Sequence, residues 1–221
     1  MYYIISGAEM IDLNAPDPDE EFQEAVLEDG LIYTKVKIHE SLFETNCLVS
    51  AAKLKCHSSA GISLSLKNFI GLLPVSIYRL SGTSARAEYV HAPDPITQIP
   101  YNIIDLARLF PIDFAFIDGI RAIDKGEGPW VNGISFVQPG LLVASVEAIA
   151  ADTICCQGMS IDPKALYPTS PFVNCYNHLT MATEYGLGSK NLEDIQVLGN
   201  DIDDAVYPYH YRIRKLQLKS S

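Results

Sequence analysis

The sequence predicts an α/β fold, a mixed or mostly parallel sheet with flanking helices, on three observations. Short β-rich apolar runs alternate with segments of helical period, the pattern of strands joined through helices. Proline and glycine fall between these runs and punctuate them. At 221 residues the chain can bury roughly 70% of the surface it exposes when unfolded, so a core needs neither disulfide nor metal. A single domain over residues 1–221 is expected, with an acidic segment at 1–30, a core at 31–200 and a C-terminal tail at 201–221.

In chain order, Pro16 and Pro18 open an acidic loop and residues 20–27 read as a short helix. Residues 31–38 (LIYTKVKI) form a β-rich run, and 46–54 (NCLVSAAKL) suit a buried strand. Residues 62–73 place Ile62, Leu66, Phe69, Ile70 and Leu73 at helical spacing, and Pro74 closes that helix. Residues 81–100 read as irregular, a flap or an insertion. An amphipathic helix follows at 101–110, then a short strand at 113–117 and a glycine-rich loop at 124–140. Residues 141–146 read as a strand running directly into an alanine-rich helix at 147–159. A helix at 174–185 ends at Gly186, a short strand follows at 195–198, and an edge strand at 213–218 closes the chain.

The formal charge of −11 argues against nonspecific nucleic acid or anionic membrane as a partner. The start lacks the basic stretch of a signal peptide, and no apolar run reaches the ~18–20 residues of a membrane span. Five cysteines, odd in number and without a C-x-x-C pair, fit a reduced cytoplasmic protein and not an iron–sulfur cluster. Charge is unevenly spread: residues 1–30 hold no Lys or Arg, whereas 50–70 hold Lys53, Lys55 and Lys67 and no acid.

Residues 53–74, KLKCHSSAGISLSLKNFIGLLP, are the chemically densest stretch. On a strand, Lys53, Lys55 and His57 share one side. Ser58 and Ser59 open a small-residue loop and can cap a following helix, whose N-terminal N–H groups favour an anion. Lys67 and Asn68 lie on that helix. The expectation is a strand–loop–helix site for a carboxylate or phosphate. Neither the Walker loop nor the G-x-S-x-G elbow is present. Asp118, after an apolar strand and before Gly119, can hold a metal, orient a lysine, act as a base or simply form the turn. Asp152 sits among apolar helix neighbours, so it faces a polar site or pairs with a cation, a pocket lysine among the options. His39, His91, His178 and His210 have no metal-ligand spacing, and no metal site is assigned. Trp130, between glycine-rich stretches, is a packed loop residue or part of a lid.

These motifs together resemble the "domain of unknown function 362" family. The run KLKCHSSAGISLSLKNFIGLLP is similar to its P-K-x-K-x-H and L-K-N-x-x-G elements, with Ala52 where the family usually has proline. FAFIDGIRAIDKGEGPWVNG, PGLLVASVEAIAADTICCQGMSIDP and ATEYGLGSKNLEDIQVLG are similar to its later blocks, so the resemblance spans roughly residues 30–200. It implies that Lys53, Lys55, His57, Lys67, Asn68, Asp118 and Asp152 are the family's polar motif positions. It also implies an α/β unit upstream of the blocks, to which nothing here corresponds, so a second polypeptide or a homo-oligomer is an expected partner. The ferredoxin-type module of many members has no counterpart.

The functional expectation is an enzyme-like domain for a small anion, with His57, Lys55 and Asp118 as catalytic candidates. Lys53, Ser58, Ser59, Lys67, Asn68 and Asp152 are the ligand-binding candidates. Racemase, isomerase and lyase chemistry all fit such a set, and no cofactor is named by it. The alternatives are a noncatalytic binding module or degenerate paralogue, and a structural subunit.

Overall fold

The computed structural model describes residues 7–14, 21–79, 90 and 94–211. Its centre is a five-stranded mixed sheet with flanking helices, an α/β fold. In chain order the strands are β1 (Phe22–Val26), β2 (Lys35–His39), β3 (Val49–His57), β4 (Gly61–Ser63), β5 (Phe114–Asp124), β6 (Ser135–Val137) and β7 (Leu141–Ser145). The helices are α1 (Ser65–Asn68), α2 (Pro95–Leu109), α3 (Ala148–Gly158) and α4 (His178–Glu184).

β1 and β2 form a separate antiparallel hairpin. The stretch expected as a helix at 20–27 is therefore strand over Phe22–Val26. Pairing with β2 decides this, and it sets Glu24 against Lys37, with Lys35 bonding Glu24 at 2.6 Å. The hairpin is tied to α2 by buried Asp105, whose carboxylate accepts the Leu31, Ile32 and Tyr33 N–H groups at 2.8–3.0 Å.

β3 and β5 are the parallel pair at the middle of the main sheet. β4 folds back antiparallel on β3, while β7 and β6 pair antiparallel with the first and last parts of β5. Along β3, Ser50, Ala52, Leu54 and Cys56 are buried, whereas Lys53, Lys55 and His57 point to the other face. The buried face packs against α1 and α3, with α2 and α4 behind. The buried apolar side chains form one contiguous cluster from Ala25 to Ala182. Pro100 lies inside α2 and has no N–H for the Ile96 carbonyl. That carbonyl instead accepts the Tyr176 N–H at 3.0 Å, which ties α2 to the segment before α4.

The helix expected at 62–73 is replaced by β4, a single α-helical turn and a 3-10 turn at Phe69–Leu72. Gly61 takes φ +76°, which reverses the chain into a hairpin before the helix begins. Its missing Cβ leaves room for the Phe172 ring, whose Cδ1 would lie 2.7 Å from an added carbon. Residues 195–198 form no strand. The end of the expected flap becomes the first turns of α2, while residues 80–89 and 91–93 and the edge strand at 213–218 lie outside the described residues.

Candidate functional site

Two residues along β3, from Lys53 to Lys55, match five along β5, from Asp118 to Ile123. β5 therefore bulges outward at Gly119–Ala122, and the bulge opens one wall of a cleft. Lys53 straps it: its Nζ donates to Asp118 Oδ2 at 2.5 Å and to the Arg121 carbonyl at 2.9 Å. The Asp118 carboxyl is held below the usual carboxylate range by the Lys53 bond and by the Ile120 N–H. Asp118 thus pairs with Lys53 through one oxygen and accepts the Ile120 N–H with the other.

The cleft measures about 720 Å³. Lys53, Lys55 and Arg121 bring positive charge to it, Glu127 brings one carboxylate, and Trp130 and Phe136 are its large aromatic walls. Lys55 is half-buried, and among the described residues no group hydrogen-bonds its ammonium. Burial pushes its pKa down, opposed by the charge of Glu127. Glu127 is itself clamped to the β3–β4 turn, its two oxygens accepting the Ser58 N–H at 3.1 Å and the Ser58 hydroxyl at 3.0 Å. The Ser58 carbonyl accepts from Asn174 and from the Tyr211 hydroxyl, both at 2.8 Å. The turn that holds Glu127 is therefore itself fixed from two sides.

His57 contributes to that turn. Its Nδ1 accepts the Ser59 and Ala60 N–H groups at 3.1 and 3.2 Å. The bonds select the tautomer that carries its proton on Nε2, and they engage the lone pair of Nδ1, the basic nitrogen of that tautomer. Ser59 is buried in the same turn.

The remaining candidates lie away from the cleft. Asp152 is fully buried on α3, and its carboxylate accepts the Ser65 N–H, the Ser65 hydroxyl and the Leu66 N–H at 2.6–3.1 Å. It caps α1 from 87 residues away, so its partners are the helix's N–H groups and a hydroxyl, not a pocket lysine. Burial pushes its pKa up to about 6, and those three donors restrain the rise. Asn68 donates to the Ser50 hydroxyl and the Ala51 carbonyl, both at 3.3 Å, bracing α1 on β3. Lys67 is half-buried on the helical side, where its charge acts on Cys175 and His178.

The fold thus brings Lys53, Lys55, Asp118, Ser58 and the Nδ1 of His57 around one hairpin and bulge. It leaves Lys67, Asn68 and Asp152 on the helical side. Arg121 and Glu127 were not singled out in the sequence. Their signal was faint, an arginine just after Asp118-Gly119 and a lone acid between Gly126 and Gly128. Among the described residues, no group of three or more His, Cys, Asp or Glu side chains gathers to hold a metal ion. No helix among them is long and apolar enough to cross a membrane.

A family model described as "Domain of unknown function (DUF362)" matches residues 2–157. That span takes in the cleft and ends within α3. The "Thylakoid-associated protein sll1697" of Synechocystis sp. is 23% identical over 137 residues, covering 62% of this chain and 39% of that protein. The chain therefore spans well under half the length of this curated relative. No solved structure matches.

Proposed function

We propose a function for this chain, which belongs to the family described as a domain of unknown function (DUF362): it binds a small carboxylate or phosphate in the cleft beside β3 and β5. The carrying observation is Lys55, a half-buried ammonium with no hydrogen-bond partner among the described residues and Glu127 as its counter-charge. Desolvating an ammonium without a close partner is unfavourable, and an anion in the cleft offsets that cost. Lys53 and Arg121 add positive charge, and the Lys53 strap keeps the bulge open. If the bound molecule is also transformed, Lys55 is the proton-transfer candidate, because burial brings its pKa toward the working range. Racemase, isomerase and lyase chemistry remain the classes this would serve.

A noncatalytic binding module is the second reading, and a specific observation favours it. Lys53 is committed to Asp118 and Arg121, Glu127 to Ser58, and Nδ1 of His57 to the turn. Groups so engaged hold a shape more readily than they exchange protons. The open face of the sheet supports a homo-oligomer or second polypeptide as a companion proposal. Five free thiols, four of them buried, support a cytoplasmic location.

Isothermal calorimetry with inorganic phosphate and with succinate tests the reading. Lys55→Ala should weaken whichever anion binds by about tenfold or more, in line with loss of one charged hydrogen bond. Binding should also decline as pH rises through the lowered Lys55 pKa, and Lys55→Arg should remove that decline. No change on Lys55→Ala would overturn the assignment.

A further inference from the structure

The cleft's walls say more about its ligand than its charges do. Trp130 is 74% exposed and Phe136 78% exposed, yet both line the same cavity as Lys55 and Arg121. Two large aromatic rings left open beside cations mark a binding surface more often than a packing accident. The indole is not loose. It lies against Gly128, where a Cβ would stand 2.3–2.5 Å from Cη2, Cζ2 and Cζ3 of the Trp130 ring. Only glycine lets the ring seat there, so one part of the indole rests on its own loop and the rest is presented to the cleft. Glu127, the residue before that glycine, is locked to Ser58, which fixes the loop from the other side.

We infer that the ligand is an aromatic anion: a flat ring stacked on Trp130, with Phe136 beside it, carrying a carboxylate or phosphate that meets Lys55 and Arg121. The inference rests on the anion-binding reading and narrows it. A ring on a tryptophan face gains from stacking. The volume of about 720 Å³ admits one or two rings with an anionic group, within the usual range of small-molecule sites.

The test uses the whole chain and exploits the fact that Trp130 is its single tryptophan. Its indole N–H gives one cross-peak, and its fluorescence one signal, both belonging to the cleft. Benzoate and adenosine monophosphate are titrated beside their non-aromatic counterparts, succinate and glycerol phosphate. The ring-bearing members should bind about tenfold tighter or more, within the range that stacking one ring contributes, and should shift the indole peak. Which of the two binds separates carboxylate from phosphate. Gly128→Ala displaces the indole without changing any charge, and Trp130→Leu removes it; each should abolish the tenfold preference and leave the non-aromatic affinities within about twofold. Equal affinity for aromatic and non-aromatic anions, with Trp130→Leu indifferent, overturns this inference while leaving anion binding standing. Failure of every anion to bind, or indifference to Lys55→Ala, overturns the anion site itself and this inference with it.

Discussion

Replacing His178 with leucine should stabilise the protein, and more so in acid. His178 is fully buried at the first position of α4, edge-on to Phe172, and neither ring nitrogen has a hydrogen-bond partner among the described residues. A buried unsatisfied donor or acceptor costs about 1–3 kcal/mol, so the two nitrogens together cost roughly 2–6 kcal/mol. Leucine removes both, and lost contact with Phe172 and imperfect fit return about 1–2 kcal/mol. A net gain of about 2 kcal/mol at pH 7 is expected, or about 4–8 °C in Tm for a chain of this size. The acid arm is independent. Burial and the nearby Lys67 charge push the His178 pKa from 6.5 down to about 3. Below 6.5 the unfolded imidazole takes up a proton that the folded one refuses, so wild-type stability falls with pH until about 3. At roughly 1.4 kcal/mol per pH unit, the gap between variant and wild type should widen by about 2.5 kcal/mol from pH 7 to 4.5. Other groups titrate in both proteins and cancel. Urea unfolding at the two pH values, with matching m-values, reads both arms. A variant less stable at pH 7, or a gap that does not widen, would refute the reasoning and show that the imidazole is bonded after all.

Two further outcomes follow from buried contacts. Gly61→Ala should cost about 2–4 kcal/mol in urea unfolding, since φ is +76° and the new carbon would meet Phe172 at 2.7 Å; a loss under 1 kcal/mol would mean the hairpin relaxes freely. Asp152→Ala should destabilise by about 2–4 kcal/mol at pH 7 by stranding the Ser65 and Leu66 donors. Its folded pKa, about 6 against 3.8, means that the wild type holds its full contribution below 3.8 and loses it as pH rises through 6. The gap should therefore widen by about 2.4 kcal/mol as pH falls from 7 to 4, and a gap that narrows would contradict the raised pKa.

Much of the fold was legible because period and burial agree. The alternation through Lys53, Leu54, Lys55 and Cys56 predicted a strand with lysines on one side, and β3 has that pattern. The alanine-rich run after β7 predicted α3, whose small side chains let it lie close on the sheet. The hairpin at Gly61 was not legible, because Ile62, Leu66 and Phe69 satisfy a helical period whichever way the chain enters them. What decides the matter is distant: β4 pairs with residues 55–57, and the acceptor for the α1 N-terminus is Asp152. No local pattern encodes a cap supplied from another helix. The cleft was half legible for the same reason. Lys53 and Lys55 could be named from the sequence, and Trp130 as a packed loop residue or part of a lid. That Arg121 and Glu127 join them depends on a bulge that appears only when β3 and β5 are laid side by side.

The bulge also explains why two lysines two residues apart do different work. Opposite Lys53, β5 still runs in register, so the ammonium finds Asp118 and, just beyond, the Arg121 carbonyl. Opposite Lys55, the partner strand has already swung out and returned at Ile123, so the side chain meets open space bordered by Glu127 and the aromatic walls. The first lysine therefore stabilises the distortion that leaves the second without a close partner. A straight β5 would set Ile120 rather than Ile123 opposite Lys55, closing the space into which that ammonium projects. The positive charge available to a ligand is thus a consequence of sheet irregularity, and the residues that maintain the irregularity, Lys53 and Asp118, shape the site without needing to touch what binds in it.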